Sequence, residues 1–145
     1  KKNITKVEEV IKKPADPKLA KIKFDTAYSL LKEQKYQEAE IGLEEFLKSY
    51  PNNEYTGPAY YWLGETFMLR KRYDKAAVNY ILSFSKFPKN NKADLSMLKL
   101  SSALNKLGKK KEACDMLAKL KVRAKSLSPS VLKLLQKEMA QAACK

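Results

Sequence analysis

Histidine is absent from this chain. Ser-His-Asp and Cys-His catalysis need an imidazole to take and return the proton, so both are excluded. Histidine-ligated metal sites go with them. Cysteine is nearly absent: Cys114 and Cys144 stand thirty residues apart and form no C-x-x-C pair. Arginine is scarce, with Arg70, Arg72 and Arg123 alone. Specific phosphate or base recognition leans on the planar arginine fork, so base readout has little to work with. Glycine occurs 4 times and proline 6 times, too little punctuation for a many-stranded sheet. No run approaches the ~20 apolar residues that cross a bilayer, so no membrane insertion is expected, and no signal-peptide pattern is visible. Paired carboxylates such as Glu8-Glu9 and Glu44-Glu45 are sequence neighbours that do not face each other on a helix. No catalytic residues, metal site or cofactor is therefore expected, and the chain reads as a non-enzyme.

What remains is a globular balance. The 145 residues are 44% hydrophobic and 32% charged, which suits one domain with its own core. Lys+Arg number 30 against 16 Asp+Glu, a formal charge of +14. Such an excess points to an acidic partner, whether nucleic acid, anionic membrane or acidic protein. The plainer alternative is a lysine-rich surface that is simply solvated. Residues 109–145 are the most basic stretch, with nine lysines and Arg123 against Glu112, Asp115 and Glu138.

The chain repeats itself. Lys35-Tyr36-Gln37-Glu38-Ala39, Arg72-Tyr73-Asp74-Lys75-Ala76 and Lys109-Lys110-Lys111-Glu112-Ala113 align, with their alanines thirty-seven residues apart both times. Twelve residues after the first two alanines stand Pro51 and Pro88, each in an aromatic-Pro-x-Asn string; Lys125 holds that place in the third copy. Small residues at fixed positions let two antiparallel helices cross closely. Ala27, Gly64 and Ser101 serve the first helix of each pair, and Ala39, Ala76 and Ala113 the second. Leu30, Phe67 and Leu104, with Leu43, Tyr80 and Leu117, fill the space between. The prolines stop each second helix. A period of this length and pattern is that of tetratricopeptide repeats. The expected fold is all-α: a right-handed superhelix of three repeats (about 20–53, 57–90 and 94–126) in six helices, plus a C-terminal capping helix. Helices are expected over 18–33, 36–50, 56–70, 73–86, 93–107 and 110–124, with the cap within 128–143. Ser128 is its N-cap, Pro129 its first residue, and Leu132, Leu135 and Met139 its apolar stripe. Residues 1–17, basic and with Pro14 and Pro17, read as a linker to a domain spanning 18–145.

Four strings sharpen the family. Tyr50-Pro51-Asn52-Asn53-Glu54-Tyr55 precedes Ala59-Tyr60-Tyr61-Trp62-Leu63-Gly64-Glu65, and Leu107-Gly108 precedes Glu112-Ala113-Cys114. Together, over residues 22–125, they resemble the C-terminal domain of the periplasmic Tol-Pal system protein family YbgF (CpoB). The resemblance implies a Gram-negative periplasmic protein whose missing N-terminal coiled coil trimerises the whole, leaving this fragment a monomer. It implies a protein partner, a TolA-like periplasmic segment, in coordinating peptidoglycan synthesis with outer-membrane constriction at cell division; the cell-wall synthesis machinery is a further candidate. The chain departs from the family in lacking the third Tyr-Pro and in its high charge, which leaves partner identity open. An outer-membrane assembly lipoprotein, which also carries Tyr-Pro turns, is a lookalike that Glu112-Ala113-Cys114 and the three-repeat length argue against. A basic scaffold for nucleic acid or anionic lipid is the alternative from another class; nucleic acid is not the expected partner.

In such a superhelix the first helices line a concave groove. Counted from Gly64, the inward face of repeat one carries Phe24, Tyr28, Leu31 and Lys32. Repeat two offers Tyr61, Glu65, Met68 and Leu69, and repeat three Leu98, Ser102, Asn105 and Lys106. Phe24 and Leu98 are the ones expected to be core instead. Trp62 is expected to point toward the neighbouring helix or the trimer-proximal edge, in a structural role. In an oxidising periplasm Cys114 and Cys144 tend to pair. They sit at the start of the sixth helix and the end of an antiparallel seventh, ends that meet. Two unpaired thiols are the alternative.

Overall fold

A computed structural model describes residues 15–144. Among them are seven α-helices and no strand: α1 (Ala20–Lys32), α2 (Tyr36–Ser49), α3 (Thr56–Leu69), α4 (Tyr73–Lys86), α5 (Ala93–Lys106), α6 (Lys110–Val122) and α7 (Pro129–Gln141). Single 3-10 turns precede α1 at Pro17–Leu19 and α7 at Ala124–Ser126. Consecutive helices pack as antiparallel neighbours, and α7 lies against both α5 and α6. This is the tetratricopeptide superhelix with a capping helix that the thirty-seven-residue period predicts. The linker expected over residues 1–17 lies outside the described residues except for its last three.

The period is visible at every joint. Each first helix ends with one residue in the left-handed region: Gln34 (φ 64), Lys71 (φ 62) and Gly108 (φ 79). Behind each, a backbone N–H reaches back five residues to an orphan carbonyl: Lys35 to Leu30 (2.9 Å), Arg72 to Phe67 (2.9 Å) and Lys109 to Leu104 (2.8 Å). That closure satisfies the helix end and turns the chain. Between repeats the joint is an Asx turn. The side-chain oxygens of Asp16, Asn53 and Asn90 accept the N–H of Lys18 (2.9 Å), Tyr55 (3.0 Å) and Lys92 (2.7 Å). The turn entering α1 thus has the geometry of the turns between repeats.

The core is a small-large exchange repeated three times. Ala27 and Leu43 occupy the crossing in repeat one, Gly64 and Tyr80 in repeat two, and Ser101 and Leu117 in repeat three; all are buried. Gly64 is required by its partner, since a Cβ there would stand 2.6 Å from the Tyr80 ring. One apolar cluster runs from Phe24 and Phe46 through Tyr61, Phe67 and Tyr80 to Leu100 and Ala103. A second joins Leu98, Leu117 and Leu120 to Val131 and Leu135 of α7. The cap is pinned at both ends. Ser128 Oγ accepts the N–H of Val131 at 3.3 Å ahead of Pro129, and a disulfide joins Cys114 on α6 to Cys144 just past α7. The opposite end is bare among the described residues. Ile22 is 63% exposed, although Ala59 and Ser96 at the same repeat position are buried under the preceding helix.

Candidate functional site

Along the stack α1 approaches α3 and α3 approaches α5, with no comparable approach between α2 and α4 or between α4 and α6. The chain therefore curves with α1, α3 and α5 inside. Facing side chains on this concave wall come from residues thirty-four apart, because the helices are staggered by one turn less than the period. Two pairs show it. Tyr28 of α1 packs on Trp62 of α3, ring centroids 4.6 Å apart. One repeat on, Glu65 of α3 meets Lys99 of α5 at 3.6 Å. The turns repeat the exchange: Tyr55 stacks on Phe24 at 5.2 Å, and Lys92, its counterpart, lies 5.7 Å from the Tyr61 ring. The wall is aromatic at the first joint and charged at the second.

Two ammonium groups bracket the aromatic joint. Lys32 Nζ sits 4.8 Å from the Tyr28 ring centre, and Lys92 Nζ 5.2 Å from that of Trp62. The order across the wall is Lys32, Tyr28, Trp62, Lys92. The carboxylates on this face are already engaged. Asp25 pairs with Lys21 at 2.6 Å, while Glu65 accepts the Tyr80 hydroxyl at 2.6 Å as well as facing Lys99. Burial, followed by the Glu65 charge, pushes the Tyr61 and Tyr80 phenols well above the usual tyrosine range, so both stay neutral donors.

The expected groove residues divide in two. Tyr28, Glu65, Met68, Ser102 and Asn105 are half-buried on the wall, and Lys32, Leu69 and Lys106 are exposed. Leu31 and Tyr61 are buried, Tyr61 to 4% exposure beneath Trp62 and Lys92. They shape the wall from behind instead of presenting surface. Phe24 and Leu98 are core. Trp62 packs on the neighbouring α1, as expected, yet it remains half-buried and faces the groove. Neither Trp62 nor Lys92 stood in the expected groove set. The thirty-four-residue offset from Tyr28 would have found the first. Among the described residues no group of acidic, Cys or His side chains could hold a metal, and no helix is long and apolar enough to cross a membrane. The wall can bind through rings, ammonium groups and amides; it holds no nucleophile set beside a base.

Residues 1–89, more than half of the chain, match the YfiO family model, described as outer membrane lipoprotein. Residues 95–125 match a tetratricopeptide-repeat model. Over 52 residues the chain is 42% identical to two Pseudomonas putida proteins, each described as cell division coordinator CpoB; the alignment covers 36% of this chain and 19% of each relative. The chain thus spans about a fifth of the length of the curated relatives it matches. The CpoB similarity agrees with the resemblance read from the sequence, and the lipoprotein match over residues 1–89 goes to the lookalike that the three-repeat length was expected to argue against.

Proposed function

This chain belongs to the YfiO outer membrane lipoprotein family, and from that premise we propose that it is a non-catalytic cell-envelope interaction module that holds a segment of a partner protein in its concave groove. The observation that carries the proposal is the Tyr28–Trp62 pair, two half-buried rings turned to the inside of the superhelix. Aromatic side chains supply large contact area at small entropic cost and anchor protein interfaces. The similarity to the cell division coordinator CpoB supports a role in coordinating outer-membrane constriction with peptidoglycan synthesis. The partner on this reading is a TolA-like periplasmic segment, with the cell-wall synthesis machinery as a further one. The compartment is the Gram-negative periplasm, where the Cys114–Cys144 bridge is at home. The repeat domain itself is a monomer, and trimerisation belongs to a coiled coil elsewhere in the full protein.

The test is calorimetric titration of the domain with the periplasmic part of its own organism's TolA at two salt concentrations. Saturable binding that survives the higher salt and is lost in Trp62→Ala supports the reading. Absence of binding at both salts removes TolA as the partner. The +14 charge favours a second reading, a scaffold for nucleic acid or anionic lipid. Binding that falls steeply with salt and ignores sequence would mark it.

A further inference from the structure

Resting on the groove reading, we infer that the concave wall selects an acidic segment in which a bulky apolar side chain stands between two carboxylates. The period itself isolates this site. At the second joint the corresponding residues, Glu65 and Lys99, neutralise each other. At the first joint they are Tyr28 and Trp62, which leave two ring faces and no charge of their own. The ammonium groups of Lys32 and Lys92 then sit over these rings, with no carboxylate in ion-pair reach among the described residues. A ring face uses only part of an ammonium group's donor capacity. Lys92 is half-buried, so its remaining donors are partly stripped of water. A carboxylate is the group that answers both needs.

The spacing defines the segment. The steps from Lys32 to Tyr28, Tyr28 to Trp62 and Trp62 to Lys92 are 4.8, 4.6 and 5.2 Å. The two ammonium groups are therefore at most about 15 Å apart, the reach of about four residues of extended chain. Carboxylates at i and i+4, the widest spacing this limit allows, with an aromatic or large aliphatic residue at i+2 fit within it, since alternate side chains of an extended segment point to one side. A basic segment meets two uncompensated lysines there and is rejected by like charge.

Trp62 is the chain's sole tryptophan, so its fluorescence reports the site directly. The probes are three synthetic peptides in a Gly-Ser background, with the cores Glu-Ser-Phe-Ser-Glu, Lys-Ser-Phe-Ser-Lys and Glu-Ser-Ser-Ser-Glu. The first is expected to give a saturable change, and each of the others to bind about tenfold or more weakly. The double variant Lys32→Glu/Lys92→Glu, its helicity checked by circular dichroism, is expected to prefer the lysine peptide. Equal binding of the first two peptides leaves the groove reading standing and overturns acid selection, as does an unchanged preference in the double variant. A response to oligothymidylate with none to the acidic peptide overturns the inference in favour of base stacking. Silence from all three peptides also overturns it, and the TolA titration then decides the groove reading separately.

Discussion

Replacing Gly64 by alanine should destabilise the domain, although the same change in an ordinary helix interior gains about 1 kcal/mol. Gly64 lies within α3, and the new Cβ would stand 2.6 Å from Tyr80 Cε1 and 2.7 Å from Cδ1. Carbon atoms prefer about 3.5–4.0 Å, so roughly 1 Å must open between α3 and α4. Tyr80 cannot swing aside. It is fully buried, and its hydroxyl is held by Glu65 at 2.6 Å. Overpacking of this kind costs about 1–3 kcal/mol. Set against the helix gain, a net loss of about 1 kcal/mol remains, a fall of about 2–6 °C in Tm. Tyr80→Leu alone should cost about 2–4 kcal/mol through lost ring volume and an orphaned Glu65 contact. The double variant Gly64→Ala/Tyr80→Leu rebuilds the Ala27 and Leu43 combination of repeat one. It should be no less stable than Tyr80→Leu, a coupling of about 1–2 kcal/mol. Urea unfolding followed by circular dichroism measures all four corners of the cycle. A Gly64→Ala variant as stable as the parent, or strict additivity, would refute the size-exchange account of the core.

Three further outcomes are expected. Ser96 Oγ is buried with no hydrogen-bond partner among the described residues, at the position Ala59 fills one repeat earlier; Ser96→Ala should stabilise by about 1 kcal/mol in the same assay. Partial burial first, and then the Glu40 charge, raise the Glu44 carboxyl above its ordinary range. A raised acid favours folding only where it is protonated, so its contribution is full below the unfolded value and lost as pH rises through the folded one. Glu44→Gln should therefore stabilise by roughly 0.2–0.5 kcal/mol at pH 7, and a urea midpoint that still differs from the parent below about pH 4 would contradict this. Removing the Cys114–Cys144 bridge, which closes a loop of sequence separation 30, should cost roughly 3–4 kcal/mol. Hydrogen exchange should show α7 losing protection before α3 and α4; uniform loss would argue against a separately tethered cap.

The helices were legible because their stops are written in residue type. Pro51, Pro88 and the Ser128-Pro129 cap place helix ends within one or two residues of where α2, α4 and α7 end or begin. The small residues Ala27, Gly64 and Ser101 fixed the register of the crossing. The left-handed turns at Gln34 and Lys71 were not legible, since neither residue type favours that conformation and only Gly108 announces it. The groove was half legible. Counting from Gly64 finds which residues face inward on one helix. It does not find the stagger between helices, and the stagger puts Trp62 against Tyr28 and buries Tyr61 beneath Lys92. The partnership of Lys92 with these rings depends on an Asx turn at Asn90 directing the chain back across α3. That is a property of three-dimensional placement, with no signature in spacing alone.

The most direct test of a partner held on the inner wall is site-specific photo-crosslinking in the complex with the TolA segment. A benzophenone side chain is placed in turn at Met68 on the concave wall and at Val78, exposed on α4 outside it. The account predicts adducts from position 68 and none from position 78. Adducts from position 78 alone would contradict it and move the interface to the convex face.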